Sequence, residues 1–377
     1  MRPVRVIALG TALLVLAGCS ASGPTAPPVT PALIATPAGS QNGAAPTGPP
    51  ATSTPPGSTT APASDGGSPG GSIVYEGLIQ GGSGIRIVGT DGTRDRWLFP
   101  DVKLPKDGWQ VNPDWSPDGT RIAFAADDPV VAPGAEFTRD LWVGDADGAN
   151  ARRVFDCVAP CFVADDPVWS PDGRTLAFVT WGGSNPATLS LLDLEAGSVT
   201  TIVSEQGPTP NGFLWPRWSP DGRRIVLNYQ RWTGGADDHI VDSVIGIVDL
   251  DAKTPAFTPL TTPEMWATYP DWHPTRDLIV FSTRPWRELD DGPSNLYTIT
   301  PDGAGLAALT DFGSGETRAV QPTWLPDGSG VIFTAVEPFG AADPTMMAVI
   351  DADGSGLRPA TAFGRLFGTH PRLRPTP

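Results

Sequence analysis

Basic residues are scarce in this sequence. Lys and Arg number 25 against 41 Asp and Glu, for a formal charge of −16 at pH 7. Affinity for nucleic acid grows from neutralised phosphates, so that partner class is not expected. Docking on anionic lipid is disfavoured for the same reason, while cationic, neutral or metal ligands stay open. Histidine is scarcer still, at His239, His273 and His370. Three scattered imidazoles do not suit a nitrogen-rich transition-metal centre, nor do they allow a Ser–His–Asp set to be assigned. Cysteine occurs only at positions 19, 157 and 161, which leaves room for one disulfide at most. The N-terminal apolar run, residues 6–17, is too short to span a bilayer comfortably.

Glycine (44) and proline (43) are abundant instead, and they fall in two settings. One is a tract over residues 20–72 made almost wholly of Ala, Gly, Pro, Ser and Thr, with Asp65 its only charge. Such a tract cannot bury enough apolar surface to offset chain entropy. It reads as a tether, reaching roughly 40 Å as a flexible coil and about 150 Å if extended as polyproline. Its "GGSPG" at 66–70 matches the G-x-S-x-G hydrolase pattern, but no strand precedes it and no helix follows. Ahead of the tether stands "MRPVRVIALGTALLVLAGCS", with two arginines, an apolar stretch and small residues before Cys19. This is the layout of a secretory signal, and "LAGC" resembles the bacterial lipobox. Residues 1–18 are therefore expected to be a signal peptide and residues 19–72 a lipidated Cys19 with its tether. The chain would be a membrane lipoprotein on the extracytoplasmic face, at the cell surface or in the periplasm.

The other setting is a set of turns. "WSPDG" occurs at 115–119, 169–173 and 218–222, each time two residues after a proline and before an apolar alternation ("RIAFAA", "TLAFVT", "RIVLNY"). Degraded copies begin at Pro270 and Pro322, so tryptophan recurs at 115, 169, 218, 272 and 324. A period near fifty residues with two-residue alternation indicates a propeller or a related array. Pro sets φ for the second position of a type I turn, Asp tolerates the third and Gly takes positive φ. Second strands begin near Ile73, Ile122, Leu176, Ile225, Leu278 and Val331, which gives six units. The first unit lacks a leading strand, and "HPRLRP" at 370–375 reads as the missing one. We expect an all-β six-bladed propeller of four-stranded blades over residues 73–377, closed by the C-terminal strand pairing with residues 73–76.

These units resemble those of TolB-type six-bladed propellers, whose repeat centres on W-S-P-D-G followed by an I-A-F-like strand. The resemblance covers residues 73–375 and implies the fold more than a function, because propellers host binding, scaffolding and catalysis alike.

The repeat itself reads as scaffold. Its tryptophans should fill space between blades, and the "DADG" stretches at 145–148 and 351–354 read as turns, being short for calcium loops. Function is expected where repeats differ. Alternating strand direction sends the 2→3 and 4→1 loops to one end, and six non-repeat tryptophans fall there: Trp109, Trp181, Trp215, Trp232, Trp266 and Trp286. So do the pairs Asp127-Asp128, Asp165-Asp166, Asp237-Asp238 and Asp290-Asp291. Aromatic faces beside carboxylates suit sugar rings or cations. The residue before each leading proline should ring the channel mouth, giving Asn112, Asp166, Trp215, Tyr269, Gln321 and His370. No cofactor is expected, the one candidate being calcium between Asp165-Asp166 and Asp127-Asp128. Cys157 and Cys161 should form a disulfide in an exported chain. The expected function is non-catalytic binding of a glycan, peptide or envelope protein by a monomer anchored through its lipid. The alternative is a propeller-type polysaccharide lyase or hydrolase acting through paired carboxylates.

Overall fold

Residues 71–375 are described by a computed structural model, apart from 80–81, 132–133, 136, 159–160, 183–185, 206–210, 234–239, 284–293, 314–316, 337–344 and 362–367. Residues 1–70 and 376–377 lie outside the described residues, so the expected signal peptide, Cys19 and tether are not among them. Twenty-four strands and a single 3-10 turn (Pro263–Met265) make up the described regular structure. No described helix is long and apolar enough to cross a membrane.

The strands follow one another as antiparallel meanders. The first sheet holds β1 (Ser72–Ile79), β2 (Gly82–Gly89) and β3 (Arg96–Trp97). Next come β4 (Gln110–Trp115), β5 (Arg121–Asp127), β6 (Arg139–Asp145) and β7 (Arg152–Phe155), then β8 (Val163–Trp169), β9 (Thr175–Trp181), β10 (Thr188–Asp193) and β11 (Val199–Ser204). A further sheet contains β12 (Asn211–Trp218), β13 (Arg224–Trp232), β14 (Ile240–Asp249) and β15 (Phe257–Pro259). It is followed by β16 (Ala267–Trp272), β17 (Ile279–Thr283), β18 (Leu296–Ile299) and β19 (Ala307–Ala308). The last sheet is β20 (Arg318–Trp324), β21 (Gly330–Val336), β22 (Thr345–Asp351) and β23 (Arg358–Pro359). The final strand, β24 (Thr369–Leu373), returns to the first sheet, which has the order β24-β1-β2-β3. Ile73 faces Leu373 and Val74 faces Arg372.

Four sheets of four strands thus stand apart as blades, whereas β4 to β11 form one sheet of eight. The repeat predicts six separate sheets, and this fusion is the departure from it. The join is a single parallel bridge between Arg139 of β6 and Val163 of β8. There the Arg139 N–H donates to the Phe162 carbonyl (3.1 Å), and the Arg139 side chain spans the same seam, ion-paired to Asp127 in one meander and to Asp165 in the next.

Burial explains why the second strands are apolar at nearly every position. In β5, residues 122–127 are all buried. Ile122, Phe124 and Ala126 pack with Val74 and Ile85 of the first sheet and with Phe99 just after it, while Ala123 and Ala125 pack with Ala164 and Phe178 of the following meander. Alternation survives as a choice between two cores rather than between core and water. The cluster of Ile73, Tyr75, Ile332 and Met347 joins the last sheet to the first. The outermost strands β3, β19 and β23 are two residues long and largely exposed, which limits edge pairing with other chains.

The repeated turn does structural work. Gly119, Gly173, Gly222 and Gly328 take φ near +70°, and Asp118 Oδ1 accepts from the Thr120 N–H and the Ser116 hydroxyl. Trp115, Trp169, Trp272 and Trp324 are buried. Trp115 Nε1 donates to the Arg372 carbonyl and Trp218 Nε1 to that of Val168, so these two tie their meander to the neighbouring innermost strand, whereas the Nε1 groups of Trp169, Trp272 and Trp324 are buried without a hydrogen-bond partner among the described residues. His273 stands in for the turn serine. Its Nδ1 accepts from the Thr275 and Arg276 N–H groups. In the "DADG" turns, the Asp147 and Asp353 carboxylates accept from the Ala149 and Ser355 N–H groups two residues on.

Candidate binding site at the channel mouth

The Pro-Trp register builds a ring. In β4, β8, β12, β16 and β20 the ladder skips the residue before the proline and the proline itself. Proline has no N–H to give, so a bulge is where a strand tolerates it. The residue before it is forced left-handed: φ is +53° at Asn112, +54° at Asp166, +49° at Trp215, +51° at Tyr269, +56° at Gln321 and +51° at His370. Non-glycine residues pay for that conformation, and at three of the six the N–H group reaches an acceptor in the preceding meander, while the Asp166 N–H donates to Asp165 Oδ1. Asn112 N–H donates to Glu76 Oε1 (2.6 Å), Trp215 N–H to Asp166 Oδ2 (2.9 Å) and His370 N–H to Gln321 Oε1 (3.2 Å). A second set has its donors three residues on, where Trp169 N–H donates to Asp114 Oδ2 and Trp324 N–H to Asp271 Oδ2.

Four of the ring residues, Trp215, Tyr269, Gln321 and His370, line one cavity together with Arg217, Pro270, Pro322, Thr323 and Arg372. The Trp215 and Tyr269 rings lie 3.8 Å apart at their centroids, and Tyr269 meets His370 edge-on at 5.9 Å. Gln321 Nε2 is within 3.2 Å of both His370 nitrogens. His370 Nδ1 lies 3.0 Å from Glu76 Oε1, and Thr369 donates to Glu76 Oε2. Burial pushes the Glu76 carboxyl up, but His370, the Asn112 N–H and the Thr369 hydroxyl outweigh it and hold the group below the usual carboxylate range.

The other two ring residues sit in a buried polar network. Asn112 Nδ2 donates to Asp165 Oδ1 (2.8 Å), and Arg139 bridges Asp165 Oδ2 (2.5 Å) and Asp127 Oδ1 (2.8 Å). Asp127 Oδ2 accepts from the Trp109 N–H. Asp127, Asp165, Asp166 and Arg139 are all buried. Asp127 and Asp165, expected at loops or strand ends of the loop face, lie buried in β5 and β8, while Asp166 takes its expected place in the ring. The sequence reading overlooked Arg139, whose guanidinium is paired with one aspartate of each pair, Asp127 and Asp165. Asp128 is paired with Arg153, which also holds Asp140, and Asp140 accepts from the Cys157 N–H. Asp128, Asp140 and Asp156 bring their carboxylates together, with Arg153 already among them. Cys157 and Cys161 form a disulfide.

Among the loop-face tryptophans, Trp181 ends β9 and Trp232 ends β13, while Trp109 and Trp266 immediately precede β4 and β16. The antiparallel order brings these four positions to one end. Each is half-buried. Trp181 packs edge-on against Phe137, and Trp266 caps the 3-10 turn at φ +51°. Trp286, Asp237, Asp238, Asp290 and Asp291 lie outside the described residues.

A further inner position went unread in the sequence although its signal was present. The residue between the leading proline and the repeat tryptophan is Asp114, Val168, Arg217, Asp271, Thr323 and, in β24, Arg372. Four charges at a position flanked by buried residues mark a polar channel wall. Burial pushes the Asp271 and Asp166 carboxyls up to about 7 and that of Asp114 up to about 6, against the pull of Arg217 in each case. A carboxyl raised in the folded state binds more protons there than when unfolded, so its effect is to lower stability as pH rises from about 4 through 7. We expect Asp271→Asn, whose amide oxygen can still accept from Trp324, to stabilise more at pH 8 than at pH 5.5. The difference should be about 2 kcal/mol, read from urea unfolding of both chains at the two pH values. An equal effect at both would show that Asp271 does not resist ionisation.

Residues 130–358 match the family model for the TolB beta propeller domain. The Tol-Pal system protein TolB of Thioalkalivibrio sulfidiphilus (strain HL-EbGR7) is 38% identical over 88 residues, covering 23% of this chain and 19% of that protein. The uncharacterized peptidase YuxL of Bacillus subtilis (strain 168) is 29% identical over 134 residues, 34% of this chain and 18% of that protein. The chain thus spans under a fifth of the length of either relative. The crystal structure of TolB from Acinetobacter baumannii superposes with a TM-score of 0.57 at 16% identity, covering 81% of this chain and 67% of that one. At such identity the likeness is one of fold.

Proposed function

Because the chain belongs to the TolB beta propeller domain family, we propose that it is a non-catalytic, extracytoplasmic binding propeller that receives a glycan, peptide or protein partner at the channel mouth. The observation that carries this reading is the ring of six non-glycine residues at positive φ, of which Trp215, Tyr269, Gln321 and His370 converge around a cavity with room for about one water. Strained non-glycine residues concentrate at ligand clamps, and here the strain recurs at each mouth position. In the same reading the propeller has six blades, the eight-stranded sheet counting as two meanders fused through Arg139. Residues 1–18 act as the signal peptide, Cys19 carries lipid and residues 19–72 hold the monomeric propeller off the membrane. Calcium has no part in this reading, since Arg139 already neutralises Asp127 and Asp165.

The test is a glycan array combined with a protein pull-down, using the full chain and Trp215→Ala and Tyr269→Ala variants. Each variant is expected to weaken the partner by about tenfold or more, as for a buried aromatic at the centre of an interface. Retained affinity in both would remove the channel mouth as the binding site. The alternative of a polysaccharide lyase or hydrolase draws on the neighbouring Glu76–His370 pair and on the raised Asp166 carboxyl. Turnover of a polysaccharide, lost in Asp166→Asn, would favour it.

A further inference from the structure

Six of the described strands form the outer edges of the meanders, and five of those are blunted. β3 and β7 carry arginine (Arg96, Arg152 and Arg153), β15 and β23 carry proline (Pro259 and Pro359), and β19 is two residues long. Charge, proline and short length are the means by which sheet edges keep other strands away. The sixth is different. β11 runs for six residues, VTTIVS, of which five are β-branched and none is charged or proline.

β11 ends its sheet, with β10 on one side and no described strand on the other. Val199, Thr200 and Thr201 are exposed. Ile202 and Val203 pack on the core cluster of Leu189 and Phe213, which fixes the strand in place. Backbone groups in an antiparallel ladder point alternately toward the partner strand and away from it. The Ser198 carbonyl accepts from the Asp193 N–H, and the Glu205 N–H donates to the Ala187 carbonyl, so both residues face inward. Val199, Thr201 and Ser204 therefore turn their backbone groups outward. The ladder skips Ile202, so the edge bends once between them.

We propose that β11 accepts an extended segment of a partner protein as a further strand of the sheet, a segment with an uncharged β-branched middle and basic ends. Main-chain hydrogen bonds along such an edge supply the affinity. Charge selects the occupant. Asp193 and Glu195 stand at the start of β11 and Glu205 at its end, with Arg174 close to the first two through its carbonyl, which accepts from the Leu194 N–H. A second copy pairing about a two-fold axis would set the start of one strand against the end of the other, acid to acid. Each copy would also carry a formal charge of −16, which opposes their approach. The surface does not depend on the channel mouth, whose residues lie in the leading strands.

The test is fluorescence anisotropy of a labelled peptide, Lys-Val-Thr-Val-Thr-Val-Lys, titrated with the full chain. Beside it run the same peptide N-methylated at alternate residues and a version with glutamate at both ends. N-methylation should weaken binding about tenfold or more, because main-chain hydrogen bonds are lost. Glutamate ends should weaken it about threefold or more, by a margin that narrows in high salt. Val199→Pro removes one outward N–H at the first position of the strand, where proline is tolerated, and should weaken binding about fivefold. Hydrogen exchange at Val199, Thr201 and Ser204 should slow when the peptide is present. Trp215→Ala should leave the affinity unchanged. Should Val199→Pro fail to fold, the comparison of methylated with unmethylated peptide decides alone. No binding up to millimolar concentration, or equal binding of the methylated peptide, overturns the proposal. So does equal or tighter binding of the glutamate version. Loss of binding in Trp215→Ala would move the peptide to the mouth and overturn the proposal too. A dimer of the unaltered chain in sedimentation, dissociated by Val199→Pro, would overturn it in favour of a second copy.

Discussion

Removing residues 369–377 is expected to lower the melting temperature by about 10 °C or more. The segment is β24, and it supplies the innermost strand of the first sheet, pairing with β1 across Ile73–Leu373 and Val74–Arg372. Its loss takes more than a strand ladder. The Trp115 indole loses the Arg372 carbonyl (3.1 Å), the Ser72 carbonyl loses the Arg374 N–H (2.7 Å) and the Gly119 carbonyl loses Arg374 Nε (2.9 Å). Glu76, buried at 1% exposure, loses both Thr369 and His370. Each bond contributes on the order of 1 kcal/mol net, and more where a charged partner is stranded. A loss of about 4–6 kcal/mol, at roughly 2–4 °C per kcal/mol in a domain of this class, gives the stated shift. The bared edge of β1 would also invite pairing between chains, so the truncated protein should aggregate on heating. Circular dichroism melts of both chains decide it. An unchanged midpoint would mean that the C-terminal strand is not part of the cooperative unit.

Arg139→Met should be the most damaging single substitution, at about 3–5 kcal/mol near neutral pH, the cost of leaving buried charges without their partner. Arg139 is 3% exposed and sits between Asp127 and Asp165, each 6% exposed. Even with Arg139 in place, burial holds the Asp127 carboxyl above its ordinary range. Without the guanidinium, the Asp127 carboxyl would resist ionisation further. A raised carboxyl penalises the fold only where the unfolded chain would ionise it, so the damage should shrink as pH falls from 7.5 to 5. Urea unfolding at the two pH values measures this. Adding Asp127→Asn and Asp165→Asn to the variant should recover most of the loss. A deficit independent of pH, untouched by those changes, would mean that packing of the side chain matters and the charges do not.

Much of the architecture was legible because turns and strand alternation are local properties. The W-S-P-D-G register placed the leading strands, the buried tryptophans and the C-terminal strand, since Pro, Asp and Gly at fixed offsets admit few backbone paths. The residues before the leading prolines could be named as a ring for the same reason. Other features were not local. Asp127 and Asp165 belong to different repeats, 38 positions apart in the sequence, and nothing in either repeat foretells that Arg139 lies between them. The charges at 114, 217, 271 and 372 share one repeat position, but they differ in sign and are interrupted by Val168 and Thr323, and what they face is set only when the strands come together.

Local chemistry, then, decided the period, the turns, the all-β class and the apolar strands, because each depends on a few neighbouring residues and the steric limits of their backbone. Tertiary folding decided which aspartates are buried, which meanders share a sheet and which arginines face the channel. Those outcomes depend on residues that meet only when distant repeats pack, and the free energy of a buried charge is set by that company rather than by its own place in the chain.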